Sequence, residues 1–79
     1  MDNEVISLDD CCLGETYHIV RIECFEQKER IRLLEIGFFH GQSIRVTRKS
    51  IFKRTLLVEL SDFVFSLRRD IAQQIMVKK

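Results

Sequence analysis

The sequence predicts a mainly β fold, a small barrel of five short strands with one medium α-helix and short helical turns. Apolar and polar residues alternate in several short segments, which is the pattern of half-buried strands. One longer segment, residues 27–36, changes to the helical period. A barrel also suits a short chain, because closing a sheet on itself removes most of its exposed edges.

A helical turn is predicted over residues 8–13, before the first strand. Ser7 precedes the turn with an acidic residue three positions later, a variant of the capping-box spacing. Gly14 suits the left-handed conformation that ends such a turn. Because a single turn is unstable by itself, we expect Leu8 and Leu13 to dock on the sheet.

The first predicted strand spans residues 17–25 and has two partly apolar faces. One face carries Val20, Ile22 and Cys24, and the other carries Tyr17 and Ile19. Alternation places the first set together on one side of the sheet, with charged residues between them. The second face suggests that another element covers it.

The predicted helix over residues 27–36 has one apolar side that should face the core. That side is formed by Ile31, Leu33 and Leu34. Gly37 fits the first position beyond the helix, where a left-handed backbone is common. Phe38 is then expected to pack back onto Leu33, the apolar contact that accompanies this kind of helix end.

The remaining strands follow in the second half of the chain. They are predicted at residues 43–49, 55–60, 63–67 and 75–77. Ser61 and Asp62 are expected to form a two-residue hairpin turn between the third and fourth strands. Residues 68–74 allow one or two helical turns before the closing strand.

Length and composition exclude several classes of protein. The 79 residues allow one domain, 1–79, and the 46% hydrophobic content argues against disorder. No apolar run approaches the roughly 20 residues that span a bilayer, so direct membrane insertion is not expected. The first residues lack signal-peptide features, and three cysteines cannot all pair within the chain. A soluble, non-secreted protein is therefore expected.

The net charge of +1 hides a split between the two halves of the chain. Residues 1–40 hold nine acidic and four basic side chains, whereas residues 41–79 hold nine basic and three acidic ones. Arg45 and Lys49 are predicted to project outward from the second strand. Such an asymmetry raises nucleic acid or an acidic protein surface as the partner, the alternative being a solvated barrel face.

Residues 31–41, Ile-Arg-Leu-Leu-Glu-Ile-Gly-Phe-Phe-His-Gly, resemble the central segment of FeoA domains, small partners of the bacterial ferrous-iron transporter FeoB. Other matching pieces follow in order: Ser7-Leu8, Gly14-Glu15, Ile44, Val46, Phe65-Ser66-Leu67-Arg68-Arg69, Ala72, Ile75 and Val77. The resemblance covers residues 6 to 78. The chain departs from the family pattern at His40, where Pro is usual, and at residues 50–54, which lack a Gly-x-Pro hairpin.

The resemblance implies an SH3-like barrel in the cytoplasm of a bacterium. It also implies a non-enzymatic role, in which the protein docks on the cytoplasmic region of FeoB and supports Fe(II) uptake. Because FeoB carries a G domain, an influence on its nucleotide turnover belongs to the same hypothesis. The family's strand-end arginine matches Arg68, which is expected to pack or cap locally.

No catalytic residues and no cofactor are predicted, because no nucleophile, base and orienting group occur together. The side chains that could ligate a metal are Cys11, Cys12, Cys24, His18 and His40. Fe(II) or Zn(II) would need three or four convergent ligands, and nothing in the spacing shows convergence. A structural role is the main interpretation, and His40 is the weak metal candidate because it should be exposed.

Partner binding is the stronger hypothesis, and its predicted residues are Phe39, Phe52, Lys53 and Arg54. If Phe38 packs on the helix end, Phe39 is free to serve as an aromatic anchor, which commonly supplies interface energy. Alternatively, Phe39 caps the open end of the barrel. Phe52 with its basic neighbours resembles a docking loop, or else the loop folds back as an apolar plug.

Two further interpretations stay open. A small barrel with a basic surface could bind nucleic acid, although no row of stacking aromatic residues appears on its strands. Self-association through an exposed strand edge is compatible with docking on a transporter.

Overall fold

The computed structural model describes residues 4–23 and 26–79 of the chain. Its elements are β1 (Ile6–Ser7), a 3₁₀ turn (Leu8–Asp10), β2 (Thr16–Ile22), α1 (Gln27–Ile36), β3 (Ser43–Ser50), β4 (Thr55–Leu60), β5 (Phe63–Arg68), α2 (Arg69–Ala72) and β6 (Ile75–Lys78). This is the mainly β fold expected from the sequence. The end of the first predicted strand, residues 24–25, lies outside the described residues.

The strands form one antiparallel sheet in the order β1-β6-β2-β3-β4-β5. The five predicted strands are present, and β1 is a sixth within the described residues. With only two residues, β1 is too short to show alternation. Its Ile6 pairs with Val77 of β6, and this places the start of the chain beside its end.

One apolar core lies inside the curved sheet. Its buried residues are Leu8, Cys11, Tyr17, Ile19, Leu33, Phe38, Ile44, Val46, Leu56, Val58, Leu60, Leu67, Ala72, Ile75 and Val77. Alternate residues of β3 and β4 therefore face the core, namely Ile44, Val46, Leu56, Val58 and Leu60. The predicted two-residue turn is also present, because Leu60 pairs with Phe63 across Ser61 and Asp62.

The first helical turn is shorter than predicted and ends at Asp10. Leu8 is fully buried as expected, but Leu13 is 54% exposed, so its predicted docking is wrong. The backbone leaves the 3₁₀ turn in an extended conformation at Cys11, which carries Leu13 away from the sheet. Gly14 has the expected positive φ of 83°, and its N–H donates to the carbonyl of Val46 at 2.9 Å.

Strand β2 is irregular, and one of its two predicted faces supplies the buried side chains. Its pairing with β6 shifts by one residue between Ile19 and Arg21, which is a β-bulge. Tyr17 and Ile19 are buried, whereas Val20 is only half-buried. Val20 and Ile22 are both half-buried, so the buried core positions of β2 come from the other predicted face, Tyr17 and Ile19.

Helix α1 has the predicted bounds and ends as predicted. Gly37 has a φ of 131°, and its N–H donates to the carbonyl of Leu34 at 3.2 Å. The N–H of Phe38 donates to the carbonyl of Leu33 at 2.9 Å, and the two bonds form a Schellman motif. The Phe38 side chain is fully buried and meets Phe65 edge to face, with ring centroids 6.0 Å apart.

The apolar side of α1 is less buried than predicted. Leu33 lies in the core, but Ile31 is 48% exposed and Leu34 is 45% exposed. Phe38, just beyond the helix, is also buried. Among the described residues, α1 therefore contacts the core mainly through Leu33, and not through its whole apolar side. The expected burial of Ile31 and Leu34 is therefore wrong, and both contribute to the surface.

Candidate partner-binding surfaces

A second bulge, in β3, decides which basic side chains reach the surface. The pairing of β3 with β4 shifts between Val46 and Arg48, so Thr47 is the extra residue. Thr47 Oγ1 donates to the carbonyl of Leu57 at 3.1 Å. Beyond the bulge the faces exchange, and as a result Arg48 is exposed and Lys49 is half-buried. Sequence alternation alone placed Lys49 outward, and it missed Arg48.

Lys49 belongs to a polar cluster that we call the seam. The cluster joins the turn after β1 to β3 and to the α2 region. The seam comprises Asp9, Lys49, Arg69 and Gln73. Arg69 donates two hydrogen bonds to the carboxylate of Asp9, from Nε at 2.9 Å and from Nη2 at 3.3 Å. Gln73 Nε2 donates to the same carboxylate at 3.4 Å, and Lys49 Nζ donates to the backbone carbonyl of Asp9 at 2.8 Å.

Asp9 is the buried charged residue of the described core, with 8% of its surface exposed. Hydrogen bonding by Arg69 lowers the pKa of Asp9 below its usual value, and this outweighs the opposing effect of burial. The seam therefore keeps a buried carboxylate charged by pairing it with a partly exposed guanidinium. The sequence did not predict this pair, because residues 60 positions apart give no local signal of pairing.

Arg45 is also used within the fold. It forms an ion pair with Glu59, its direct neighbour across the β3–β4 ladder. The Arg45 side chain is 43% exposed, in agreement with its predicted outward position, whereas the predicted outward position of Lys49 is wrong. Arg48, Lys53 and Arg54 remain as the exposed basic residues of this region.

The loop between β3 and β4, residues 51–54, projects from the fold, and we call it the tip loop. Ile51 is 77% exposed and Phe52 is 98% exposed, so the loop does not fold back as an apolar plug. Lys53 and Arg54 are exposed beside them. The Lys53 N–H donates to Ser50 Oγ at 3.3 Å, and the Arg54 carbonyl accepts from the Arg69 N–H at 3.0 Å. The base of the loop is thus attached to the seam.

Two shallow concavities flank the tip loop. One, of about 570 Å³, has an apolar floor at Leu57 and a rim that includes Arg48 and Phe52. The other, of about 560 Å³, is lined by Lys53, Arg54, Arg68, Arg69, Asp70 and Gln73. Apolar and basic surfaces therefore meet at Phe52 and Lys53. This combination fits an acidic protein surface that also offers an apolar contact.

Phe39 lies at a different place, in a groove between α1 and β2 that we call the helix groove. The groove has a volume of about 330 Å³ and includes Val20, Ile22, Arg30, Leu34, Phe39 and His40. Phe39 is 48% exposed, so it does not fully cap the barrel end. The exposed Leu34 extends the same apolar surface.

The structure does not bring all four predicted partner residues together. Phe52, Lys53 and Arg54 share the tip loop, which follows β3, whereas Phe39 precedes β3. The eight residues of β3 separate the two positions by roughly 23 Å along the strand. The predicted partner residues therefore belong to two surfaces, the helix groove before β3 and the tip loop after it.

The metal candidates do not form a ligand set. Among residues 4–23 and 26–79, no three side chains of His, Cys, Asp or Glu lie together as a metal site would require. Burial raises the pKa of the Cys11 thiol to about 12, so it stays protonated, whereas Cys12 is exposed. His18 and His40 are both exposed, and Cys24 lies outside the described residues.

Comparisons with known proteins identify the family. A family model described as the FeoA domain matches residues 6–79. The chain belongs to the FeoA family. FeoA domains are small accessory domains rather than a known enzyme family, and membership supports an accessory role in iron transport. A comparison with curated proteins gives no match.

Solved structures share the fold of this FeoA domain. An iron uptake regulatory protein (FeoA) is 20% identical, with a TM-score of 0.80 and coverage of 95% of this chain and 96% of that chain. FeoA from Stenotrophomonas maltophilia, solved with zinc and described as a prokaryotic SH3 domain protein, is 24% identical, with a TM-score of 0.79 and coverage of 92% and 89%. The fold is accordingly SH3-like.

The same fold occurs inside larger regulators. A manganese-dependent transcriptional repressor is 22% identical, with a TM-score of 0.88, and the match covers 98% of this chain but 42% of the repressor. At these identities the likeness establishes the fold and not the activity. In the described part of this FeoA domain, no helix has the length and apolar character needed to cross a bilayer.

Proposed function

We propose that this FeoA domain is a non-enzymatic accessory protein of bacterial ferrous iron uptake that docks on the cytoplasmic region of a FeoB-like transporter. Family membership supports the accessory role. The S. maltophilia FeoA has been suggested to act as an activating factor for ferrous iron transport. The observation that carries the docking surface is Phe52, an aromatic side chain left 98% exposed at the end of a projecting loop.

Exposure of this kind is unfavourable for an isolated protein and favourable for a complex. A phenylalanine gains about 1.5–3 kcal/mol when it moves from water into an apolar site. Ile51 beside it is also exposed, so the loop offers two adjacent apolar side chains. Aromatic residues with a basic rim are enriched in the energetically important parts of interfaces.

The basic residues specify the chemistry of the partner surface. Lys53 and Arg54 border a concavity with Arg68 and Arg69, but Asp70 and Asp9 pair with those two arginines. Lys53 and Arg54 therefore contribute the excess positive charge next to Phe52. An acidic patch with an apolar pocket on the G domain would match this surface and would speed association at low salt.

A binding titration tests the proposal. The cytoplasmic region of a FeoB-like transporter is added to the full 79-residue chain, and affinity is measured by calorimetry. Phe52→Asp should weaken binding at least about tenfold, because it places a charge where an apolar anchor is buried. Leu13→Asp is the matched control, since Leu13 is also an exposed apolar residue but lies outside both surfaces.

The same titration assigns the two surfaces. Phe39→Asp tests the helix groove, and Lys53→Glu with Arg54→Glu tests the rim, whose effect should shrink as salt rises. GTP turnover by the transporter is followed in parallel, and an influence on it should be lost with Phe52→Asp. Absence of binding at high micromolar concentration would contradict docking. Unchanged affinity in both the Phe39 and Phe52 variants would contradict the assigned surfaces.

The nucleic-acid alternative has less support. The exposed aromatic residues Phe39, Phe52 and Phe63 lie in three separate segments, so they do not form a row on which bases could stack. Arg45, Arg68 and Arg69 all form ion pairs within the chain. A shift of the protein with single-stranded RNA that weakens steeply with salt would favour this alternative.

A further inference from the structure

The two edges of the sheet differ in length. One edge is β1, which has two residues, and the other is β5, which has six. Within residues 4–23 and 26–79, no strand pairs with the outer side of β5. A long edge of this kind presents unpaired N–H and C=O groups on which another strand can be added.

The hairpin geometry shows which backbone groups of β5 are unpaired. A two-residue turn closes on a hydrogen-bonded pair, here Leu60 with Phe63, and bonded and non-bonded pairs then alternate along the ladder. Val64, Ser66 and Arg68 therefore direct their N–H and C=O groups away from β4. None of the other backbone hydrogen bonds of the described residues involves Val64 or Ser66.

The edge strand lacks the features that normally prevent pairing. Residues 63–67, Phe-Val-Phe-Ser-Leu, contain no charge and no proline, and the one charge of β5 is Arg68 at its end. The ladder between β4 and β5 has no register shift, whereas β2 and β3 both contain bulges. Phe63 is 43% exposed and Val64 is 52% exposed, so apolar side chains border the unpaired backbone.

We propose that β5 pairs with β5 of a second copy of this chain, antiparallel about a twofold axis at Phe65. In this register Val64 lies opposite Ser66 of the second copy, so that unpaired backbone groups meet on both sides. The charges also match, because Asp62 lies opposite Arg68 of the second copy, twice per dimer. Phe63 then lies beside Leu67 of the second copy, which covers part of its exposed ring.

The available side chains favour a second copy over an unrelated strand. Asp62 is exposed and has no ion pair within the described residues. Arg68 is 73% exposed in its side chain, and its pair with Asp70, at 2.6 Å, is a surface contact that can be shared. The net charge of +1 adds little repulsion between copies. This pairing does not use Phe52 or Phe39, so it stands apart from the proposed docking.

Sedimentation equilibrium of the full chain, from about 10 µM to about 1 mM, tests the dimer. A reversible monomer–dimer equilibrium is expected. Amide exchange followed by NMR over the same range tests the strand. The amides of Val64 and Ser66 should become protected as concentration rises, whereas that of Phe65, already bonded to β4, should not change. A chain that is monomeric at 1 mM overturns the proposal.

A charge exchange tests the register. Asp62→Lys and Arg68→Glu each place like charges opposite one another twice, so each variant alone should dimerise at least about tenfold more weakly. An equimolar mixture of the two variants should recover dimerisation, because both cross-copy pairs are then opposite in sign. Circular dichroism controls for folding. A dimer that neither variant weakens, or that mixing does not recover, overturns the proposed register.

Discussion

The seam and the tip loop both reverse the usual relation between the polarity of a side chain and its burial. The seam places the Asp9 carboxylate inside the fold, with Asp9 only 8% exposed, and pairs it with the partly exposed guanidinium of Arg69. The tip loop places Ile51 and Phe52 in solvent, although both are apolar. In this domain, the polarity of a side chain does not predict its role. The buried polar seam is expected to stabilise the fold, and the exposed apolar loop is expected to bind a partner.

The two regions are also in contact, since the carbonyl of Arg54 accepts a hydrogen bond from the N–H of Arg69. A rigid seam thus supports the base of an exposed loop. Presenting the loop on a fixed base reduces the conformational entropy that a complex would lose. The seam should govern stability and the tip loop should govern binding, and the following predictions test this division.

The largest expected contrast is between two apolar truncations. Leu8→Ala removes a fully buried side chain next to Asp9 and should lower the free energy of unfolding by about 2–5 kcal/mol. Phe52→Ala should change it by less than about 0.5 kcal/mol, because the ring is already in water. Urea unfolding followed by circular dichroism measures both. Similar losses in the two variants would contradict the division.

The next effect concerns the seam carboxylate. Asp9→Asn should lower the free energy of unfolding by about 1–3 kcal/mol, since Arg69 loses its charged acceptor. Asp10→Asn is the matched control, because Asp10 is exposed and accepts its hydrogen bond from Ser7 Oγ, at 3.1 Å, at the surface. Equal destabilisation by the two variants would show that the seam is not structural.

The smallest effect is a pH dependence of stability. The pKa of Asp9 is lowered in the folded state, chiefly by the hydrogen bonds from Arg69. Its contribution is therefore fully present above its unfolded pKa, about 4, and is lost as pH falls through the lower folded value. Thermal unfolding between about pH 2 and pH 6 should show a shallower acid loss for Asp9→Asn than for the natural chain.

The sequence predicted those features that local signals control. The bounds of α1, the left-handed Gly37 and the burial of Phe38 follow from helical periodicity and from the chemistry of helix ends. The tip loop also followed from its neighbours, because Phe52 lies between two strands with clear alternation. Its exposure needed the structure, since the sequence allowed both a docking loop and a plug.

The features that the sequence did not predict are two β-bulges, each of which adds one residue to a strand, and an ion pair between residues far apart in the chain. Bulges at Val20 and Thr47 reverse strand alternation, and neither residue signals a bulge by its type. The pairing of Asp9 with Arg69 joins residues 60 positions apart. Only tertiary structure could show that Lys49 belongs to the seam or that Phe39 lies far from the tip loop.

Arg54, in the tip loop, has a backbone conformation that suits glycine better than arginine. Arg54 has a φ of 54°, in the left-handed region, where a residue with a Cβ is less stable than glycine by roughly 1 kcal/mol. A single mutation to glycine would relieve that strain and remove the side chain. Arg54→Gly should therefore keep or raise the stability of the fold while it weakens the proposed docking, which separates stability from binding at one position.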